Sequence, residues 1–214
     1  MWRNIFNFIV KVTGYPIYLL IFKPKLHYED RSVQGRRIHG KAIVMSNHMD
    51  VWDVAVMLFT FLNRNIRCIV AELMFEKNFF MTFFLKSLGA IRVDRNSHDF
   101  AFIQKSCDIL DHGGVVEIYP EARIPKKNEE KPLEFKPSVA YMALMSGAPI
   151  IPVYTDGRYF CKERNNIIIG KPIDVSVLYD TRLSEQENIK NITEILRNKV
   201  LELRDELDNR TKAK

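Results

Sequence analysis

The sequence predicts an α/β fold: a mostly parallel central sheet flanked by helices, preceded by an N-terminal helical segment suited to a membrane interface. Three observations carry that prediction. Short apolar runs alternate with helical segments through most of the 214 residues, the order that builds parallel sheets. The runs at 41–46 and 115–119 are those of buried strands. The length fits one domain with a real core, and the hydrophobic and charged fractions are those of a folded globular protein.

Residues 5–22 are mostly apolar and aromatic and contain no acid. Asn7, Lys11, Thr13, Gly14 and Pro16 interrupt them, which makes a poor single membrane span, since a span needs about 20 consecutive apolar residues. Pro16 is expected to kink or divide the helix. No small-residue cleavage site stands out. Arg3, Lys11, Lys23 and Lys25 accompany the segment with no acid before Glu29. Aromatic and aliphatic bulk with basic residues fits a helix lying in the membrane interface; packing on the core is the alternative. The expected organisation is a membrane-associating segment at 1–26 and a folded domain at 27–214.

Beyond it, residues 26–40 are polar, an irregular or edge-strand lead-in. A strand at 41–46 precedes a helix at 51–62, and a second strand falls at 66–71. The segment 75–86 carries Phe75, Phe79, Phe80, Phe83 and Phe84, too many for a solvent-facing helix. It is core, or one of its faces forms an apolar groove or a membrane surface. A short strand is expected at 90–93. Ser97 is the expected N-cap of a helix running to 111, stopped by Gly113 and Gly114. Strand 115–119 leads into a loop at 121–133, rich in Lys and Pro. Pro137 and Gly147 bracket a helix at 137–146. Strands follow at 150–154 and 166–169. Ser184 and Glu187 match a capping box. From there an amphipathic helix, 184–210, carries Ile189, Ile192, Leu196, Val200, Leu203 and Leu207 at spacings of three and four.

The formal charge of +6 suits an anionic partner. No helix-turn-helix, RNA-binding sheet motif or zinc finger is legible, so nucleic acid is not expected. Cys68, Cys107 and Cys161 are scattered, as reduced thiols of a cytosolic environment are. His27, His39, His98 and His112 show no metal-ligand spacing, and no metal is expected.

The chemistry centres on Asn47-His48-Met49-Asp50-Val51-Trp52-Asp53. His48 stands after a strand and before a helix, where α/β sheets bind ligands. Asp53 can reach back to the imidazole, fix its tautomer and leave the other nitrogen as a base. No Ser or Cys sits in a Gly-x-Ser-x-Gly elbow, so direct base catalysis on a substrate hydroxyl is the simplest inference. A helix-start polar contact is the competing reading of the pair by itself.

Three more segments accompany it at strand ends: Gly89-Ala90-Ile91-Arg92-Val93-Asp94-Arg95, Ile118-Tyr119-Pro120-Glu121-Ala122-Arg123 and Ala148-Pro149-Ile150-Ile151-Pro152-Val153. Together the four resemble, in order, the sequence blocks of the glycerolipid acyltransferase family, of the 1-acylglycerol-3-phosphate acyltransferase kind. The Asn-His-x-x-x-x-Asp pattern is met in full. Gly89 and Arg95 match the second block, Pro120 and Glu121 the third, and Pro152 the fourth. Phe135-Lys136 matches a further Phe-Lys element, with Ser138 where a Gly is usual. The third block departs: Ala122 replaces a Gly, and the Arg stands one position early, at Arg123. An Ala there is cheap at ordinary backbone angles and costly at positive φ.

The resemblance implies acyl transfer without a cofactor, from acyl-CoA or acyl carrier protein to 1-acylglycerol-3-phosphate, giving phosphatidic acid. His48 would be the general base oriented by Asp53. Arg95, Arg123 and Lys136 would meet the acceptor's phosphate. Glu121 would orient an Arg or accept from the acceptor, and Asn47, Gly89, Pro120 and Pro152 would support the site. Backbone N–H groups near the start of the helix after His48 would face the oxyanion. The Phe-rich segment would wall the acyl slot. Monotopic membrane association with the active site on the cytoplasmic side is implied as well. The altered third block keeps other acceptors open: glycerol-3-phosphate, a lysophospholipid or an aminolipid. A thioesterase-like hydrolase and a non-catalytic basic lipid-binding domain are the readings outside this reaction.

Overall fold

A computed structural model describes residues 2–94, 100–129 and 131–212. Among these, seven strands form one sheet in the order β1-β7-β6-β2-β5-β3-β4. The strands are β1 (Lys25–Tyr28), β2 (Ala42–Ser46), β3 (Ile66–Ala71), β4 (Ile91–Val93), β5 (Val115–Ile118), β6 (Ile150–Thr155) and β7 (Asn166–Ile169). Strands β2 to β6 run parallel, while β7 meets β6 antiparallel and carries β1 beside it at the edge. The sheet is therefore mostly parallel and flanked by helices, as the alternation of segments predicts. β1 is the edge strand within the polar lead-in.

Two helical layers cover the sheet. Ile43, Met45, Val116, Ile118 and Ile150 face α5 (Ala101–Asp111), α6 (Ser138–Ser146) and α7 (Glu185–Lys212). Ala42, Val44, Val115, Ile151 and Val153 face α1 (Trp2–Phe22) and α2 (Asp53–Thr60). The apolar stripe of α7 is buried as its spacing predicts. Its capping box forms: Glu187 N–H donates to Ser184 Oγ at 3.3 Å, and Ser184 N–H to Glu187 Oε2 at 3.0 Å. The expected N-cap, Ser97, lies outside the described residues, and α5 is described from Ala101. The Phe-rich segment is two helices, α3 (Glu72–Glu76) and α4 (Phe79–Leu88), because Asn78 takes an extended conformation and caps α4 by accepting from Met81 N–H.

Pro16 does not divide α1, which continues through it to Phe22. Anchors on both sides hold the helix: Lys11 before the proline, Tyr18 and Phe22 after it. The burial pattern of α1 is inverted relative to a helix of a soluble protein. Polar Asn7 and Lys11 face inward, where Lys11 Nζ donates to the carbonyls of Leu62 and Arg64. Ile5, Phe8, Val12, Ile17 and Leu20 face outward. Burial lowers the Lys11 ammonium to about 8. In α4, Phe79 and Phe80 are 77 % and 80 % exposed, which excludes plain core packing for them. Phe83 and Phe84 meet Phe6 of α1 edge-on.

Candidate active site

The site lies where β2 and β5 end side by side and the next helices, α2 and α6, pass to opposite faces of the sheet. Such a divergence opens a crevice at the carboxyl ends of parallel strands. His48 leaves β2 into it, and Tyr119 leaves β5.

Asn47 secures the end of β2. Its side chain copies a strand residue: Oδ1 accepts from Thr155 N–H at 2.9 Å, and Nδ2 donates to Thr155 O at 3.0 Å. This extends the β2–β6 pairing past Ser46. His48 N–H then donates to Glu121 Oε1 at 2.7 Å. The other Glu121 oxygen accepts from Leu133 N–H at 2.8 Å. Glu121 is thus a buried clasp between the His48 turn and the 121–133 loop. Both oxygens accept from backbone N–H groups, and no arginine among the described residues bonds them. Burial pushes its carboxyl above the ordinary range despite these donors.

His48 Nδ1 and Asp53 Oδ2 are 2.7 Å apart. The first turn of α2 brings Asp53 back over the strand end, and Met49 and Asp50 N–H donate to the same oxygen at 2.6 and 2.9 Å. These two amides near the start of α2 hold the carboxylate. Tyr159 O–H donates to the remaining oxygen, Oδ1, at 2.5 Å. A buried carboxylate requires such donors, and this one has four. Burial and the Asp53 charge push the Tyr159 hydroxyl well up, which keeps it a donor. With Nδ1–H directed at Asp53, Nε2 carries the lone pair. It has no hydrogen-bond partner among the described residues. The His48 side chain keeps 13 % of its surface exposed and the Asp53 side chain none, so the ring alone can be reached.

Tyr119 stacks on the imidazole at 4.4 Å between centroids, with planes 20° apart. Beneath it, the Tyr119 hydroxyl donates to Glu117 of β5. A cavity of about 370 Å³ opens from His48, walled by Ile69, Phe102, Ile118 and Tyr141, with Asp94 and Lys136 also lining it. Lys136 is exposed, and its N–H donates to Pro120 O at 2.8 Å, which ties the Phe-Lys element to the third block. None of the α4 phenylalanines lines this cavity, so the Phe-rich segment does not wall it.

The other expected residues take varied places. Arg123 is not brought to His48: it makes a bidentate pair with Glu129 on an exposed loop, at 2.6 and 2.8 Å. Arg95 lies outside the described residues. Gly89 ends α4 with φ +80, where a side chain would strike Arg67. Pro152 sits inside the central strand β6, a place usually closed to proline. Its missing N–H falls where β7 leaves the ladder, after Gly170 N–H has reached Pro152 O. Ala122 has φ +58, so the substituted position is one that favours glycine. Among the described residues no group of His, Cys, Asp and Glu could hold a metal ion.

Tyr159, Thr155 and Glu117 have no signal in the sequence. Tyr159 lies 106 positions from the carboxylate it meets, in a loop with no periodicity.

The acyltransferase family model matches residues 25–156, more than half of the chain. A 1-acyl-sn-glycerol-3-phosphate acyltransferase of Bacillus subtilis (strain 168) is 26 % identical over 171 residues, covering 78 % of this chain and 82 % of that protein. The crystal structure of the 1-acyl-sn-glycerophosphate (LPA) acyltransferase PlsC from Thermotoga maritima superposes with a TM-score of 0.67 at 19 % identity, over 94 % of this chain and 81 % of that one. That likeness establishes the shared fold.

Proposed function

The chain belongs to the acyltransferase family, and on that premise we propose that it moves a fatty acyl group from acyl-CoA or acyl carrier protein to the hydroxyl of 1-acylglycerol-3-phosphate, giving phosphatidic acid. The observation that carries the reading is the sealed Asp53 on His48 Nδ1, with Nε2 left over for the substrate. His48 Nε2 takes the proton as the acceptor oxygen attacks the thioester carbon. Asp53 stabilises the imidazolium that forms, and the ring returns the proton to the departing thiolate as the tetrahedral intermediate collapses. Tyr119 and Tyr159 hold ring and carboxylate in register.

Lys136 supplies a cation for the acceptor's phosphate at the cavity it lines, with Arg95 of the second block beside it in role. Arg123 joins them only by releasing Glu129. The apolar cavity at His48 takes acyl chain. The outward apolar side of α1, a helix long and apolar enough to cross a membrane by length and composition, instead lies along one leaflet, because its inward face is polar and tied to the domain. The lipid acceptor then enters from the bilayer, and the site opens to the cytoplasmic side, where the donors are soluble.

The test is a matrix of acyl donors against 1-acylglycerol-3-phosphate, glycerol-3-phosphate and lysophospholipids, using purified protein in detergent. Transfer to 1-acylglycerol-3-phosphate is expected to dominate. His48→Ala should lower it by roughly a hundredfold or more, the scale of a general base, with the circular dichroism spectrum unchanged. Undiminished transfer by that variant overturns the mechanism. Free fatty acid as the product assigns a hydrolase instead.

A further inference from the structure

A second cavity, of about 880 Å³, lies at the opposite end of the sheet from His48. Gly114, just before β5, lines it, whereas Ile118, the last residue of β5, and Tyr119 after it line the His48 cavity. The two are therefore roughly 15 Å apart along one strand. Arg3, Arg64, Arg67, Lys86 and Lys105 line the far cavity, and Asp108 is the one acid among its lining residues. Asp108 accepts from Gln104 rather than from a cation. The side chains of Arg3, Lys86 and Lys105 make no hydrogen bond or ion pair among the described residues. Arg64 and Arg67 are anchored on the carbonyls of Gly40, Gly113 and Leu88, which leaves further N–H groups unused. Burial and the neighbouring Arg3 charge lower the Arg67 guanidinium. Five cations held together beside one acid, with no ion pair among the described residues, call for an anion from outside.

The position of the cavity selects the kind of anion. Arg3 follows exposed Trp2 at the start of α1, and Lys86 lies two residues beyond Phe84 in α4. Two of the cations, Arg3 and Lys86, thus sit at the ends of the two helices whose outward faces are apolar and whose aromatic rings touch through Phe6. A body lying on a bilayer through α1 and α4 brings this cavity to headgroup depth. We infer that the cavity is a second, non-catalytic lipid site, which receives the phosphate headgroup of an anionic phospholipid and fixes the orientation of the protein on the membrane. The inference rests on the membrane reading of α1, and the test separates the two.

Binding of the full chain is measured by flotation with vesicles of phosphatidylcholine, and of phosphatidylcholine mixed with phosphatidylglycerol. The variants are R3Q/K86Q/K105Q and a control of equal charge, K127Q/K162Q/K190Q. The native chain is expected to bind both vesicles, the anionic ones more tightly and with a steeper salt dependence. One basic residue near an anionic surface is worth roughly fivefold, so the cavity variant should lose roughly a hundredfold on anionic vesicles. It should bind phosphatidylcholine as the native chain does, and the control should keep both affinities. Equal binding of native chain and cavity variant to anionic vesicles overturns the site. So does an equal loss in the control, which makes the effect one of net charge. Loss of phosphatidylcholine binding by the cavity variant overturns it too. Failure of the native chain to bind either vesicle removes the membrane reading itself. Calorimetry with inorganic pyrophosphate in detergent is the last arm. Tight binding abolished in the cavity variant would give the cavity to a soluble phosphate ester instead.

Discussion

Replacing Glu117 with glutamine tests the electrostatics under the site. Glu117 lies in β5 between β2 and β3, with Val44 and Cys68 as its register partners, and is 1 % exposed. The Tyr119 hydroxyl donates to it, and Tyr119 in turn stacks on His48. Burial raises its carboxyl to about 8, and the nearby Asp53 charge adds to the rise, against the donors from Tyr119 and Cys68. Between 4.5 and about 8 the folded chain therefore holds a proton that the unfolded chain has released. Stability from this group is full below the unfolded value and is lost as the pH climbs through the folded one. At about 1.4 kcal/mol per unit, the rise from 4.5 to about 8 amounts to about 5 kcal/mol. Glutamine is the neutral isostere and keeps an acceptor for Tyr119. Thermal unfolding should therefore give near-equal Tm values below pH 4.5. Above pH 8 the Glu117→Gln variant should melt higher by at least roughly 10 °C, at about 2 °C or more per kcal/mol for a chain of this size. The difference between the two Tm-against-pH curves isolates this group from every other. Parallel curves would refute the reasoning, because a carboxylate ionised throughout would carry no such slope.

Two further substitutions read the site and its loop. Tyr159→Phe removes one donor from Asp53; a hydrogen bond to a charged group is worth about 1.5–3 kcal/mol, so kcat should fall at least roughly tenfold with KM little changed. A native kcat would show that the hydroxyl is idle. Ala122→Gly relieves a left-handed residue that costs about 1–2 kcal/mol, partly offset by about 0.4–1 kcal/mol of extra chain entropy in the unfolded state. The Tm should rise by roughly 1–4 °C, and a fall would mean that the methyl group packs usefully.

Much of this arrangement is legible in residues close together along the chain. His48 and Asp53, five positions apart, meet through the first turn of the helix that follows β2. The third block displays its own irregularity: the glycine expected at 122 is missing, and the backbone there is left-handed all the same. Other parts are not local. Glu121 bonds Leu133 and His48, 12 and 73 positions away, so its service to two loops cannot be read from the block that contains it. Arg123 stands two residues from that clasp yet pairs with Glu129, six positions on, on an exposed loop. The composition of the Phe-rich segment leaves core, groove and membrane surface open, and only the structure shows the four phenylalanines of α4 exposed, with Phe83 and Phe84 against Phe6 of α1.

By itself the sequence determined the mostly parallel sheet, the strand-end position of the His48–Asp53 pair and the stripe of α7, because alternation, spacing and capping act over a few residues. The tertiary structure decided what surrounds the pair. It alone placed Tyr159 on Asp53, Tyr119 on the imidazole and Asn47 on Thr155, and it gathered five cations at the far end of β5. Each of these contacts joins chain segments that meet only when the strands line up, and burial then makes the partner of every polar group matter.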